Sequence, residues 1–119
     1  MVINLTPHPI ALHGADGVVR TLPPSGKVAR VRVERVMLDQ ATPISSETGP
    51  IDIAAERPLC IEGLPEPVAG VIYVVSRVVA EAARRVDVLC PDTGAGAVRA
   101  DGQIIGTYGL VRPFFFGSY

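Results

Sequence analysis

The chain has 119 residues, of which 48% are hydrophobic and 19% charged, and its 11 Lys and Arg residues nearly balance 12 Asp and Glu residues. This composition excludes a disordered chain and fits one domain with one core, and the balanced charge offers no overall field to attract nucleic acid or an anionic membrane. Twelve glycines and eleven prolines without a period exclude a helical bundle and predict short strands joined by many turns.

The N-terminal segment is predicted to form short strands. Its run 2–12 is apolar, but Pro7 and Pro9 remove two backbone donors, so we expect a bent strand or an edge strand. Asp16-Gly17, between two apolar runs, predicts a β-hairpin.

A further strand is predicted from residue 28 onward, because small and apolar residues alternate there with Arg and Glu. We expect Ala29, Val31 and Val33 to face the core. The phase of the alternation slips at Arg35-Val36, which predicts a bulge at that point. Residues 40–56 are the least determined region, with only a short strand indicated around residues 51–53.

The centre of the fold is predicted at residues 71–90. The continuous apolar run 71–75 is typical of a buried central strand. Ser76 is a favoured N-cap residue, so a helix is predicted to start there. The Ser76 hydroxyl would cap the helix by accepting a hydrogen bond from a free amide of the first turn. A second strand, 86–90, should end at Pro91, and a parallel pairing of the two strands is expected.

The predicted helix is short and amphipathic. Its apolar face is expected to carry Val78, Val79, Ala82 and Ala83. The other face should carry i,i+4 ion pairs from Arg77 to Glu81 and from Glu81 to Arg85.

The C-terminal part adds a hairpin signal at Asp101-Gly102 and an apolar tail. Together the patterns predict one compact, strand-rich α+β domain over residues 1–112. It should hold a mixed, mostly antiparallel sheet and one short helix in a strand-helix-strand unit. The tail, residues 113–119, is dense enough in aromatic residues to favour oligomer formation, through Phe114, Phe115, Phe116 and Tyr119.

Two cysteines and two histidines carry little functional signal. Cys60 and Cys90 each end an apolar run, where a cysteine is usually a small buried hydrophobe. No apolar run reaches the ~18 residues of a membrane span and no signal sequence opens the chain, so we expect a cytoplasmic protein without a disulfide. His8 and His13 are too few, with the cysteines, to predict a metal site, and His8 is expected to be partly buried. We expect no cofactor.

Asp92-Thr93-Gly94 after an apolar run matches the motif of retroviral-type aspartic proteases, in which two such aspartates share a proton. The motif lies too near the C-terminus for the strands that such a fold needs after it. A turn in which Asp and Gly recur for conformational reasons is the alternative that we favour.

An anion site is predicted at Ser76-Arg77, where amides, a hydroxyl and a guanidinium could converge, with plain helix capping as the alternative. Ten of the eleven basic residues are arginines, which suit bidentate recognition of phosphate or carboxylate.

Five segments resemble a family of small uncharacterised proteins of tailed phages and actinobacterial prophages. They are Asn4-Leu5-Thr6-Pro7-His8-Pro9-Ile10, Pro24-Ser25-Gly26-Lys27-Val28-Ala29-Arg30, Gly63-Leu64-Pro65, Ile72-Tyr73-Val74-Val75-Ser76 and Arg85-Val86-Asp87-Val88-Leu89-Cys90-Pro91. The resemblance covers most of residues 1–111 and implies a phage setting but no catalytic role. The polar positions that it marks are Thr6, His8, Ser25, Arg30, Ser76, Arg85 and Asp87.

The leading hypothesis is a non-enzymatic phage or prophage accessory protein in the host cytoplasm. It would bind a host factor or a small anionic ligand such as a signalling nucleotide, with a possible role against host defence. The ligand-binding residues would be the marked positions Thr6, His8, Ser25, Arg30, Ser76 and Arg85, together with Arg77. The alternatives are a structural or assembly protein of the phage particle, which would form a homo-oligomer, and a dimeric aspartic protease.

Overall fold

The computed structural model of the protein describes residues 1–38, 42–43 and 50–114. In that part of the chain strands dominate, one short helix is present and the sheets are mixed, so the strand-rich α+β expectation is confirmed. The strands, in chain order, are β1 (Val2–Asn4), β2 (Ile10–His13), β3 (Val19–Leu22), β4 (Arg30–Met37), β5 (Thr42–Pro43), β6 (Pro50–Ile51), β7 (Ala54–Glu62), β8 (Ile72–Val74), β9 (Val88–Pro91), β10 (Ala97–Ala100), β11 (Gln103–Thr107) and β12 (Leu110–Val111). The helix α1 (Arg77–Ala83) lies between β8 and β9.

The hydrophobic core lies against a four-stranded sheet of order β1-β8-β9-β12. The pairs β1/β8 and β8/β9 are parallel and β9/β12 is antiparallel. Because β8 is central, Tyr73 and Val74 are buried, although Ile72 is 37% exposed. Strand β1 is an edge strand of this sheet, and Pro7 and Pro9 lie in the connection between β1 and β2. The buried apolar residues are Leu5, Ala29, Tyr73, Val74, Val75, Val79, Ala80, Val88 and Cys90.

A second four-stranded sheet has the order β10-β11-β2-β3. Both predicted hairpins are found in it, since β2 pairs with β3 and β10 with β11, each antiparallel. Asp101 and Gly102 form the tight turn of the second hairpin, both with positive φ (51° and 78°), as a two-residue type I′ loop requires. A parallel contact between Thr107 and Leu12 joins the two hairpins.

Strands β4 and β7 form a separate two-stranded antiparallel ribbon. Only its base packs on the core, through Val31 and Ile61. The radius of gyration is 18.2 Å, against about 13.5 Å for a compact domain of this length. The molecule is therefore less compact than its sequence predicts.

The ribbon corrects three predictions. Val33 is 47% exposed instead of core-facing, because it lies beyond the point where β4 leaves the domain. The register shift lies between Arg32 and Val33, not at Arg35-Val36, and the extra residue is Leu59 on β7. Cys60 is exposed on the same strand, whereas Cys90 is buried, and both are free thiols.

The helix is short, as predicted, but it ends before Arg85 and buries a different set of residues. It buries Val79 and Ala80, whereas Val78 is 62% exposed. The Arg77–Glu81 ion pair is found, with Nε to Oε1 at 2.9 Å. Arg85 lies beyond the end of the helix and pairs with Asp87 instead of Glu81. Within the described ranges, no helix has the length and apolar character needed to cross a membrane.

Candidate functional site

A cavity of about 400 Å³ opens beside the carboxyl ends of two parallel strands. Its walls are mainly apolar, and the polar residues that line it are Thr6, Arg30 and Ser76. The apolar lining residues are Leu5, Pro7, Val28, Ala29, Val31, Val78 and Val79. Three of the seven ligand-binding residues predicted from the sequence therefore share one cavity.

Thr6 and Ser76 meet because β1 and β8 are parallel neighbours. Asn4 lies beside Val74 in the register, so the residues that follow the two strands emerge at the same edge of the sheet. The bond from the Leu5 amide to the Val74 carbonyl, at 2.7 Å, continues the pairing past the strand ends. This edge is where ligands commonly bind in sheets with parallel strands.

Arg30 is brought to the cavity by a main-chain contact at the base of the ribbon. The Ala29 amide donates to the Leu5 carbonyl at 3.0 Å, which fixes the start of β4 next to the loop after β1. Throughout the described residues, the Arg30 guanidinium has no hydrogen bond or ion pair. A residue that lines the cavity thus carries a guanidinium without a protein partner among the described residues.

The loop that carries Thr6 is organised by Asn4, whose side chain is buried and satisfied at both ends. Its Nδ2 donates to the carbonyls of His8 and Leu22, at 2.9 and 3.1 Å. Its Oδ1 accepts from the amide and the hydroxyl of Thr6, at 2.9 and 2.7 Å. Sequence reasoning did not single out Asn4, although it opens the Asn-Leu-Thr-Pro-His segment.

Ser76 occupies the N-cap position, but its side chain makes no capping hydrogen bond, so the predicted hydroxyl cap is wrong. The residue is exposed at the rim of the cavity. Its hydroxyl is therefore available to a ligand. Arg77, the next residue, directs its Nε to Glu81.

The other predicted ligand residues lie elsewhere. His8 is exposed, not partly buried, and its main-chain carbonyl accepts from Asn4. The Ser25 hydroxyl bonds within its own turn, to the amide and carbonyl of Lys27. Neither side chain lines the cavity.

Arg85 is committed to an internal ion pair. It donates to both carboxylate oxygens of Asp87 and to the carbonyl of Pro65. The hydrogen bond from Arg85 lowers the pKa of Asp87 below its ordinary value. The contacts of Arg85 and Asp87 are therefore explained by a role in holding the structure together.

The Asp92-Thr93-Gly94 segment forms a closed loop. The Asp92 carboxylate accepts from the amides of Gly94 and Gly96, at 2.9 and 3.0 Å. The buried Thr107 hydroxyl lies 2.9 Å from the Asp92 carbonyl and 2.7 Å from that of Gly109. These contacts explain why Asp and Gly occur in this segment, since both residue types favour the conformation of such a turn.

The predicted interface tail is described only in its first part. Phe114 is half-buried, and the Arg84 guanidinium lies 4.9 Å from the centre of its ring. Phe115, Phe116 and Tyr119 lie outside the described residues.

Among the residues that the structure describes, no three His, Cys, Asp or Glu side chains are grouped so that they could hold a metal ion. Burial raises the pKa of the Cys90 thiol, which disfavours the thiolate that metal binding or nucleophilic attack needs. Comparison with known proteins gives no match to a family model, a curated protein or a solved structure.

Proposed function

We propose that the protein is a non-enzymatic binding module that takes a small anionic ligand, such as a signalling nucleotide, in the cavity between β1, β4 and α1. The observation that carries the proposal is the convergence of Thr6, Arg30 and Ser76 on this cavity, with no protein partner for the Arg30 guanidinium in the described chain. A concave site of this volume favours a small ligand over the surface of a host factor.

The chemistry of the lining suits a phosphate joined to an apolar or aromatic group. The volume of about 400 Å³ lies in the range of small-molecule sites, which are mostly apolar with a few placed polar groups. Arg30 can donate two parallel hydrogen bonds to a phosphate, and the Ser76 hydroxyl can donate another. Val31, Val78 and Val79 would contact the base or ring.

The arrangement is consistent with a strand-helix-strand unit, β8-α1-β9, that positions Ser76 at the end of a parallel strand. A phage or prophage accessory protein that sequesters a host signalling nucleotide would act against host defence by binding alone. The anionic class of the ligand is inferred from the guanidinium of Arg30. The phage setting is inferred from the resemblance of the five sequence segments.

Thermal-shift screening of the purified chain against linear and cyclic nucleotides tests the proposal, followed by calorimetry of the hit. A ligand that binds the folded state alone stabilises it by about 2.7 kcal/mol at a hundredfold excess over Kd. Arg30→Gln should weaken binding by tenfold or more, because it removes the cation. Ser76→Ala should weaken it less.

Arg99→Gln is the matched control, since Arg99 is an exposed arginine on β10 that does not line the cavity. It should leave affinity unchanged. The proposal fails if no nucleotide stabilises the protein, or if the two arginine variants lose affinity equally.

A second candidate function, a structural or assembly protein of the phage particle, is favoured by the projecting ribbon. Val33, Val36 and Leu59 are about half exposed on it, and exposed apolar surface of this kind often marks a protein interface. Mass photometry of the full chain and of a chain lacking residues 113–119 tests this role. Two strictly monomeric proteins would rule it out.

A further inference from the structure

The two edges of the β4/β7 ribbon are not equivalent. Pro58 lacks an amide donor and Leu59 is the extra residue of the register shift, so the edge of β7 is poorly suited to pair with another strand. Strand β4 has neither Pro nor Gly, and it alternates valine with charged residues from Arg30 to Glu34. Its outer edge is the one that can accept a further strand.

The backbone groups on that edge can be assigned by alternation along β4. The Leu38 amide donates to the Ile53 carbonyl at 2.9 Å, so even-numbered residues point their backbone groups toward β7. The Ala29 amide points the other way, to Leu5. The backbone groups of Val31, Val33 and Arg35 therefore face outward, and in the described sheets β4 pairs with no strand but β7.

We propose that the outer edge of β4 pairs antiparallel with β4 of a second copy of this chain, about a two-fold axis through Val33. The product is a four-stranded sheet of order β7-β4-β4-β7. A two-stranded ribbon is only marginally stable in water, whereas a four-stranded sheet with one apolar face can be stable by itself. Val33 and Pro58 continue the face that Val31 and Ile61 begin at the core of each copy.

The register follows from backbone geometry and charge. In an antiparallel pair, a residue whose backbone groups face outward must lie opposite another residue of this kind. On β4 these are the odd-numbered residues, so the two-fold axis lies at one residue position, which is set opposite itself in the second copy, and not between two consecutive positions. An axis through Arg32, Glu34 or Arg35 would set that residue against its own copy. An axis through Val33 instead sets Arg32 against Glu34 of the second copy, twice.

The ribbon's own ion pairs are compatible with this interface. Arg32 contacts Glu62 at 3.4 Å, and Glu34 contacts Arg57. All four side chains are more than one-third exposed, so the two pairs contribute little by themselves. A carboxylate can accept from two guanidinium groups, so Glu34 can contact Arg57 and Arg32 of the second copy together.

Sedimentation velocity of the full chain over a wide concentration range tests the proposal by charge exchange. We expect a monomer–dimer equilibrium whose Kd rises about tenfold or more for Arg32→Glu and for Glu34→Arg, because like charges then lie opposite each other. The double variant R32E/E34R should regain the wild-type Kd. Glu62→Gln, which breaks only the internal pair of Arg32, is the control and should not alter the Kd.

Cross-linking tests the register independently of charge. Residues at a hydrogen-bonded antiparallel pair have Cα atoms about 5.5 Å apart, within reach of a disulfide. In a Cys60→Ser background, Val33→Cys should form a covalent dimer on mild oxidation, whereas Val36→Cys, similarly exposed, should not. The proposal is overturned if the chain is a monomer at all concentrations, or if its dimer is unaffected by either charge reversal. It is also overturned if the edge of β4 associates only with a foreign peptide, or if the two cysteine variants cross-link equally.

Discussion

The guanidinium of Arg85 donates to both carboxylate oxygens of Asp87, from Nε to Oδ1 at 3.0 Å and from Nη2 to Oδ2 at 2.6 Å. Its third bond, from Nη1 to the Pro65 carbonyl at 2.9 Å, ties the loop before β8 to the segment before β9. The two side chains are 23% and 20% exposed. The pair thus fastens the Gly63-Leu64-Pro65 segment to the segment that begins at Arg85.

Breaking this pair should make stability depend less on pH. The hydrogen bond from Arg85 lowers the pKa of Asp87 in the folded state, so its contribution is complete above the unfolded pKa of about 3.9. It is lost as the pH falls through the lowered folded value. Asp87→Asn should lower the free energy of unfolding by about 1–2 kcal/mol at neutral pH, and the difference from wild type should shrink under acid.

Urea unfolding at neutral and acidic pH measures the effect. Asp16→Asn is the control, because the pKa of Asp16 is also lowered by its bond to an arginine, Arg20, but the Asp16 side chain is 53% exposed. A D87N variant that is as stable as wild type at neutral pH would show that the pair contributes nothing.

Asn4 should be much less tolerant of substitution than the residue it bonds. Asn4→Ala removes a donor from the carbonyls of His8 and Leu22 and the side-chain acceptor of the Thr6 amide, and Asn4 is 1% exposed. The His8 carbonyl keeps its bond from the Thr6 hydroxyl. We expect a loss of about 2–4 kcal/mol in the free energy of unfolding. Thr6→Ala removes one hydroxyl and should cost about 1 kcal/mol. Denaturant unfolding compares the two, and equal losses would contradict the central role of Asn4.

The hairpins were predictable because their signals are local. Asp16-Gly17 and Asp101-Gly102 specify tight turns whatever the rest of the chain does. The cavity residues were individually predictable as polar positions within apolar segments. Their convergence was not, because it depends on the parallel pairing of β1 with β8, strands that lie about 70 positions apart in sequence.

The ribbon was missed for a different reason. In β7, Pro58 and the extra residue Leu59 interrupt the alternation that identifies a strand. On β4, the phase slip at Arg35-Val36 reflects the distance from the core, since Val36 is exposed on the polar face of the ribbon. An apolar pattern reports burial, and this ribbon is largely unburied, so the pattern could not report its register.

The Asp92 loop should distinguish between two neighbouring glycines. A Cβ on Gly96 would overlap the Asp92 carboxylate, whereas a Cβ on Gly94 would lie at an ordinary 3.5 Å from it. Gly96→Ala should therefore displace the carboxylate from both loop amides and cost about 1–2 kcal/mol. Gly94→Ala should be nearly neutral.

Thermal unfolding of the two variants measures the difference, with Asp92→Asn as a third variant that keeps one acceptor oxygen. If D92N abolished cleavage of a peptide substrate without loss of stability, Asp92 would be a protease residue and not a loop residue. Equal stability of the two glycine variants would also contradict the structural role.

Substitutions at Gly63 and Gly17 distinguish the cost in stability of a strained backbone from that of a close contact. Both have positive φ, 79° and 81°, but a Cβ on Gly63 would overlap the Val28 carbonyl oxygen, whereas none of the surrounding atoms lies within 4 Å of a Cβ on Gly17. Gly17→Ala should cost about 1 kcal/mol from φ alone. Gly63→Ala should cost about 3 kcal/mol or more, because the main chain before β4 must also move.

That movement has a functional consequence. Val28 precedes the Ala29 amide that holds Arg30 at the cavity, so Gly63→Ala should also weaken binding of the ligand found by screening, although Gly63 does not line the cavity. Urea unfolding gives the stability difference, and calorimetry of the two alanine variants gives the affinity difference. Equal losses of stability in the two variants would show that the Gly63–Val28 contact does not constrain the base of the ribbon.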